Sequence, residues 1–225
     1  MLRTHKKLTK KELKKDPLVI FAAQFVEILQ AEWLKIVSIV SIVIIVITVA
    51  FIFVNGKKKR AINAYDAALT ALNNNAPEAL NLLEKVVENY SSSKNAPDAL
   101  IKLGNSYFQL KDYDSSEKFF KEYIGKYSKD PVYAFNAYNG LGGIYEEKGD
   151  YSKAGEMYEQ YISRFKNSAF LPIMYLNAGK SYYHAGDKEA ARRNFLNILD
   201  NYQDSKEKQE AAFFLELLNW KTNVW

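Results

Sequence analysis

Two histidines, His5 and His184, and no cysteine make up the imidazole and thiol inventory of this chain. They lie far apart in sequence, so a histidine metal cluster within one chain is not expected, and thiolate sites and disulfides are excluded. Carboxylates are plentiful, but Glu146-Glu147 and Glu156/Glu159 fall at helical spacing on solvated faces rather than in a paired acid–base arrangement. The Leu-Gly-Gly at 141–143 has no preceding strand, so it is neither a phosphate loop nor a dinucleotide fingerprint. The reading is a non-enzymatic chain with no cofactor, metal or small-molecule substrate. What remains for chemistry is hydrogen bonding and apolar contact, from asparagines, tyrosines and phenylalanines.

The charge balance narrows the partners. Residues 1–33 carry seven Lys or Arg against four acids, and Lys57, Lys58, Lys59 and Arg60 form a second basic run. Beyond that run the chain is slightly acidic, so the net charge of +5 describes two short segments and not a nucleic-acid-binding face. The sixteen tyrosines are assigned to packing rather than base stacking.

Three segments position these groups. The tail, 1–33, has a capping-box spacing at Thr9–Glu12 and an Asp16-Pro17 helix start. Leu18–Leu34 then reads as an amphipathic helix that either lies on a membrane surface or docks to a membrane complex. Residues 34–55 contain an uncharged run from Ile36 to Val54, about 28 Å as a helix and close to the ~30 Å hydrocarbon core. It reads as an uncleaved transmembrane anchor in the lipid bilayer, because no small-residue cleavage site follows it. Residues 56–225 form the third segment.

That segment repeats itself. Gly104, Gly142 and Gly179 align, with Tyr107, Tyr145 and Tyr182 three residues on. Asp112, Asp150 and Asp187 follow, then Ser116, Ala154 and Ala191, then Phe120, Tyr158 and Phe195. A half copy upstream has Ala79 and Leu83 at the last two positions, and Tyr90 aligns with Tyr127, Phe165 and Tyr202. Each unit reads as two helices. A small residue admits close approach beside a ring, and the Asp caps the second helix. No unit can bury its own stripe, so the units must stack. Residues 206–220 supply a capping helix, with Ala211, Ala212, Leu215 and Leu218 inward and Phe213, Phe214 and Trp220 assigned to packing.

This pattern resembles the tetratricopeptide repeat over about residues 61–205. It departs in its longer period, in Ser116 and in the absence of the motif's Trp. The layout of tail, anchor and repeats is most similar to a membrane-anchored group that includes the ancillary SecYEG translocon subunit (YfgM-like), with the longer loops of BamD and CpoB. The resemblance implies an all-α chain: one transmembrane helix, then a right-handed α-solenoid of about 3.5 helix pairs and a cap. It implies a protein–protein interaction scaffold in a bacterial inner membrane, with the N-terminus cytoplasmic and the repeats periplasmic. The partners so implied are the SecYEG translocon, periplasmic chaperones or envelope-assembly factors. A cytoplasm-facing adaptor or a regulatory subunit of a membrane complex stays open.

Carrying the family's groove positions onto this chain selects Ile101, Asn105, Phe108 and Gln109 from the first full unit. The second gives Asn136, Asn139, Gly143, Glu146 and Glu147, and the third gives Leu176, Lys180, Tyr183 and His184. Asparagines there suit an extended peptide's backbone, with Phe108 and Tyr183 as apolar anchors. The alternative places partners on the opposite face or on the loops.

Overall fold

The computed structural model describes residues 17–127 and 129–220, and these residues form α-helices joined by short turns. In chain order the helices are α1 Pro17–Asn73, α2 Ala79–Asn89, α3 Ala96–Gln109, α4 Tyr113–Lys126, α5 Pro131–Glu147, α6 Tyr151–Arg164, α7 Leu171–Ala185, α8 Lys188–Asn201 and α9 Lys208–Trp220. The chain divides into two compact units between Lys59 and Arg60. The Thr9–Glu12 capping box, the Asp16 cap, the tail's basic residues and the side chain of Trp220 lie outside the described residues.

In the first unit, α1 is long and apolar enough to cross a membrane, and its apolar window is wholly unburied within the chain. The hydroxyls of Ser38 and Thr48 donate to the carbonyls of Leu34 and Ile44 at 2.7 and 2.8 Å. That satisfies them within the helix, as an apolar surrounding requires. The helix does not stop where the apolar run stops. Asn55 and Gly56 are helical, because one glycine costs only about 1 kcal/mol in a helix followed by good helix formers.

In the second unit, the half copy found in the sequence gains its first helix from the end of α1. Ala61, Ala68 and Ala71 are buried there, and Ala68 belongs to the same core as Leu83 and Val86. The pairs α3/α4, α5/α6 and α7/α8 follow, and α9 closes the series.

One contact recurs in every full pair. A methyl group built at Gly104 would lie 2.5 Å from the ring of Phe120, and one at Gly179 would lie 2.5 Å from that of Phe195. At Gly142 it would be closer still to Tyr158. The missing Cβ is therefore what admits the ring between the two helices. Seven residues after each of these glycines the backbone turns left-handed, at Lys111 (φ 61°), Gly149 (φ 76°) and Gly186 (φ 83°). Asn75 (φ 51°) stands seven residues after Ala68, so a fully buried alanine takes the glycine's register in the first pair.

The caps repeat as the spacing predicts. Asp112, Asp150 and Asp187 accept from the amides of Ser115, Lys153 and Ala190 at 3.1, 3.2 and 2.9 Å. Tyr90, Tyr127, Phe165 and Tyr202 are the residues at which α2, α4, α6 and α8 end. Ser116, the departure from Ala, is fully buried and donates to the Gly104 carbonyl at 2.7 Å. In α9, Ala211, Leu215 and Leu218 are buried, and Phe214 stacks on Phe195 with centroids 5.2 Å apart. Phe213 departs from its packing assignment and is 55% exposed, because it sits on the side of α9 away from Ala211 and Leu215.

Gly142→Ala should destabilise the repeat unit by roughly 1–3 kcal/mol, the cost of overpacking, although alanine is the better helix former. Denaturant unfolding checks this, and an unchanged midpoint would refute the Gly–ring account. Lys111→Gly should act in the opposite sense and stabilise by about 1 kcal/mol, because lysine is held at positive φ where glycine carries no penalty. The melting temperature reads that out.

Candidate interaction groove

The first helices of three successive pairs share a depression of about 320 Å³. Asn105 and Phe108 come from α3, Asn136, Asn139, Gly140, Gly143 and Glu146 from α5, and Asn177 and Lys180 from α7. Its floor is made by Phe120 and Tyr158, the two rings wedged against Gly104 and Gly142. Phe120 is also pressed on its other edge by Gly140, so one ring separates two pairs and underlies the groove.

The charges in this groove are already engaged. The Lys180 ammonium lies 2.8 Å from Glu210 of α9 and 6.0 Å from the Phe214 ring centroid. Glu146 accepts a 2.6 Å bond from the Ser181 hydroxyl. Burial pushes the Tyr158 phenol well above its ordinary range, and the neighbouring Glu146 adds to the effect. The amides are less committed. Asn177 Nδ2 donates to Asn139 Oδ1 at 3.0 Å, and Asn136 Nδ2 donates to the Val132 carbonyl at 2.9 Å. That leaves Asn139 Nδ2 and the oxygens of Asn136 and Asn177 to act outward. The arrangement offers neutral donors and acceptors over an aromatic floor, a chemistry for binding rather than for proton transfer. Among the described residues no group of three or more His, Asp or Glu is placed to hold a metal ion.

The tetratricopeptide-repeat profiles match residues 72–131, 135–167 and 174–205. The chain is a tetratricopeptide-repeat protein. Repeats of this family build protein–protein interaction scaffolds, and nothing in the matches indicates catalysis. No curated protein matches the chain. Among solved structures, a tetratricopeptide-repeat protein from Parabacteroides merdae aligns with a TM-score of 0.60 at 13% identity. The alignment covers 72% of this chain and 61% of that one, so this chain spans about three-fifths of its length. The MamA RS-1 ArsTM double mutant aligns with a TM-score of 0.53 at 18% identity, over 73% of this chain and 85% of that one. At these identities the likeness establishes the solenoid fold.

Within the repeat protein the groove positions read from sequence separate into groups. Asn105, Phe108, Asn136, Asn139, Gly143, Glu146 and Lys180 line the depression. Ile101 and Leu176 are buried in the core, although Asn139, at the same position of the second unit, lines the depression. Tyr183 packs edge-on against Phe214 at 5.4 Å, which engages it with the capping helix. Gln109, Glu147 and His184 are exposed at helix ends, where the His184 ring lies 5.2 Å from Tyr151 and Glu147 accepts from the Tyr113 hydroxyl at 3.0 Å. Phe108 is half-buried, 5.6 Å from Tyr113. Gly140 and Asn177 are members that sequence reasoning missed. They occupy one equivalent position two residues before the aligned glycines, and a polar or small residue there in two consecutive units was the available signal.

A second recurring bond joins each repeat to the one before it. Tyr107, Tyr145 and Tyr182, the ring positions of the first helices, donate to Glu84, Glu117 and Glu159 at 2.7, 2.8 and 3.0 Å. The bond to Glu84 pushes the Tyr107 phenol up to about 12, with burial adding to it. Burial by itself would raise the Glu117 carboxyl, but hydrogen bonds from Lys121, Lys148 and Tyr145 outweigh that and hold it near about 2. Glu159 is lowered in the same way, with burial opposed by Asn194, Arg193 and Tyr182.

A carboxyl lowered by folding adds stability above its unfolded pKa and loses it as pH falls through the folded value. The repeat protein should therefore lose stability between about pH 4.5 and pH 2, by up to roughly 3 kcal/mol from Glu117. Melting curves across that window should flatten in Glu117→Gln, and an unaltered pH slope would remove Glu117 from the account.

Proposed function

We propose that this chain is a membrane-anchored, non-enzymatic scaffold whose asparagine-rimmed groove captures an extended segment of a partner protein. The observation that carries the reading is the set of four asparagine amides, Asn105, Asn136, Asn139 and Asn177, gathered from three repeats over the Phe120 and Tyr158 rings. An extended backbone presents donors and acceptors at regular intervals, and side-chain amides answer both. Lys180 is ion-paired with Glu210 and Glu146 accepts from Ser181 within the chain, which favours a partner segment of low charge. The apolar length of α1 supports the anchor. The layout of tail, span and repeats resembles the ancillary translocon subunit. On that basis the repeats lie on the periplasmic face of an inner membrane, beside the SecYEG translocon or envelope-assembly factors. The opposite orientation would make the same groove a cytoplasmic adaptor, or part of a regulatory subunit of a membrane complex.

Gly143 supplies a clean probe. A methyl group there meets only the Phe108 ring, at an ordinary 3.5 Å, so Gly143→Ala keeps the fold and gains up to about 1 kcal/mol of helix stability. It also intrudes on the groove. Photo-crosslinkers at Asn105 and Asn139 should capture a partner segment in cells, and Gly143→Ala with Asn136→Ala should reduce that yield about tenfold while the melting temperature holds. Equal yield from the outer position Glu189 would move the site off the groove. The cysteine-free chain also lets one cysteine at exposed Gln203 report orientation. Labelling of intact spheroplasts by an impermeant maleimide is the expected periplasmic outcome, and labelling only after lysis reverses it.

A further inference from the structure

The two ends of the apolar span carry charge in different states. At the leading end Lys35 is paired with Glu32, with Nζ–O distances of 2.7 and 3.0 Å. At the trailing end Lys57, Lys58 and Lys59 are exposed and make no ion pair among the described residues. The cause is in the sequence, because no Asp or Glu occurs between Trp33 and Asp66. Every residue one helical turn before or after these lysines is therefore uncharged or basic, and no intrahelical partner is within reach.

Their geometry is equally specific. Residues 57–60 are helical, so successive side chains point about 100° apart and the four cations surround the axis rather than forming a one-sided patch. Their Cα atoms rise only about 4.5 Å from first to last. The collar begins three residues past Val54, about 4.5 Å beyond the apolar run. A bilayer's headgroup layer starts where its hydrocarbon ends and is roughly 5–7 Å thick on each side. A ring of cations of that height and at that level matches a plane of anions crossed by the helix. It matches a partner helix poorly, since such a helix would meet one side only.

We infer that Lys57–Arg60 form a collar that recruits acidic phospholipids around the trailing end of the span. The inference rests on the membrane-anchor reading. It adds a lipid class and a leaflet: acidic headgroups, in the leaflet on the side of the repeats.

The test uses the full chain in nanodiscs of phosphatidylcholine with a minority of phosphatidylglycerol, scoring acidic lipid retained around the protein. The wild type should enrich phosphatidylglycerol, and Lys57→Gln/Lys58→Gln/Lys59→Gln should lower that enrichment about fivefold or more. One cation near an acidic surface is worth about a factor of five, and the three do not act independently. Lys57→Arg/Lys58→Arg/Lys59→Arg should retain it. The enrichment should shrink as salt rises, and inorganic phosphate should not displace it beyond its ionic strength. Equal enrichment by the wild type and the Gln variant would overturn the collar, as would equal loss in the Gln and Arg variants. Insertion into pure phosphatidylcholine discs, scored by flotation after an alkaline carbonate wash, judges the anchor separately. A chain that inserts without acidic-lipid preference loses the collar alone, and one that fails to insert loses both readings.

Discussion

The distance between the two helices of each pair is set by a ring lying on a residue with no side chain. Phe120, Tyr158 and Phe195 occupy the space that a Cβ on Gly104, Gly142 or Gly179 would fill. Dense packing leaves no slack at such a contact, so the helix separation is nearly all-or-none. The turn that follows inherits this constraint. With the pair closed on the ring, the chain reverses within a few residues, through a left-handed position and an aspartate cap. The first pair carries a fully buried alanine, Ala68, at the register of these glycines.

The candidate groove depends on that packing. Phe120 and Tyr158 close their own pairs and also form the floor between first helices. Core and candidate groove thus share atoms, and the rim of asparagines, with Gly143, stands free of the load carried by the floor. Electrostatics divides along the same line. Glu117 and Glu159 collect lysine, arginine, asparagine and tyrosine donors at the joints between repeats, and Lys180 is taken up by Glu210. The groove keeps neutral amides because the charges near it serve the joints.

The repeats are alike in frame and unlike in detail. The Tyr161 hydroxyl meets Ser168 Oγ at 2.6 Å and the Pro131 carbonyl at 3.0 Å. At the equivalent position the chain has Val86 and Ile198, and the corresponding Ser93 and Ser205 hydroxyls are buried with no hydrogen-bond partner among the described residues. An unmet buried hydroxyl costs on the order of 1–3 kcal/mol. The copies therefore contribute unequally: the Tyr161 joint carries two hydroxyl bonds, the equivalent Tyr123 donates one to the Asp130 carbonyl at 3.4 Å, and the Val86 and Ile198 joints have none.

By itself the sequence determined whatever is local to a helix or a turn. Period, small-to-ring spacing, the aspartate caps and the inward stripe of the last helix are written within a few residues of one another, and each appears where the spacing predicts. The tertiary structure decided which side chains were left over. Nothing near Lys180 announces Glu210, thirty residues away, and nothing near Tyr183 announces Phe214. Ile101 and Asn105 sit one turn apart on the same helix, yet one is core and the other rim. The continuation of α1 through Gly56 was also undecided locally, because a single glycine weakens a helix without ending it. Helical periodicity specifies a direction from the axis, but it does not specify what another helix brings to that direction. That depends on how closely the helices approach, and here the ring on glycine sets the approach.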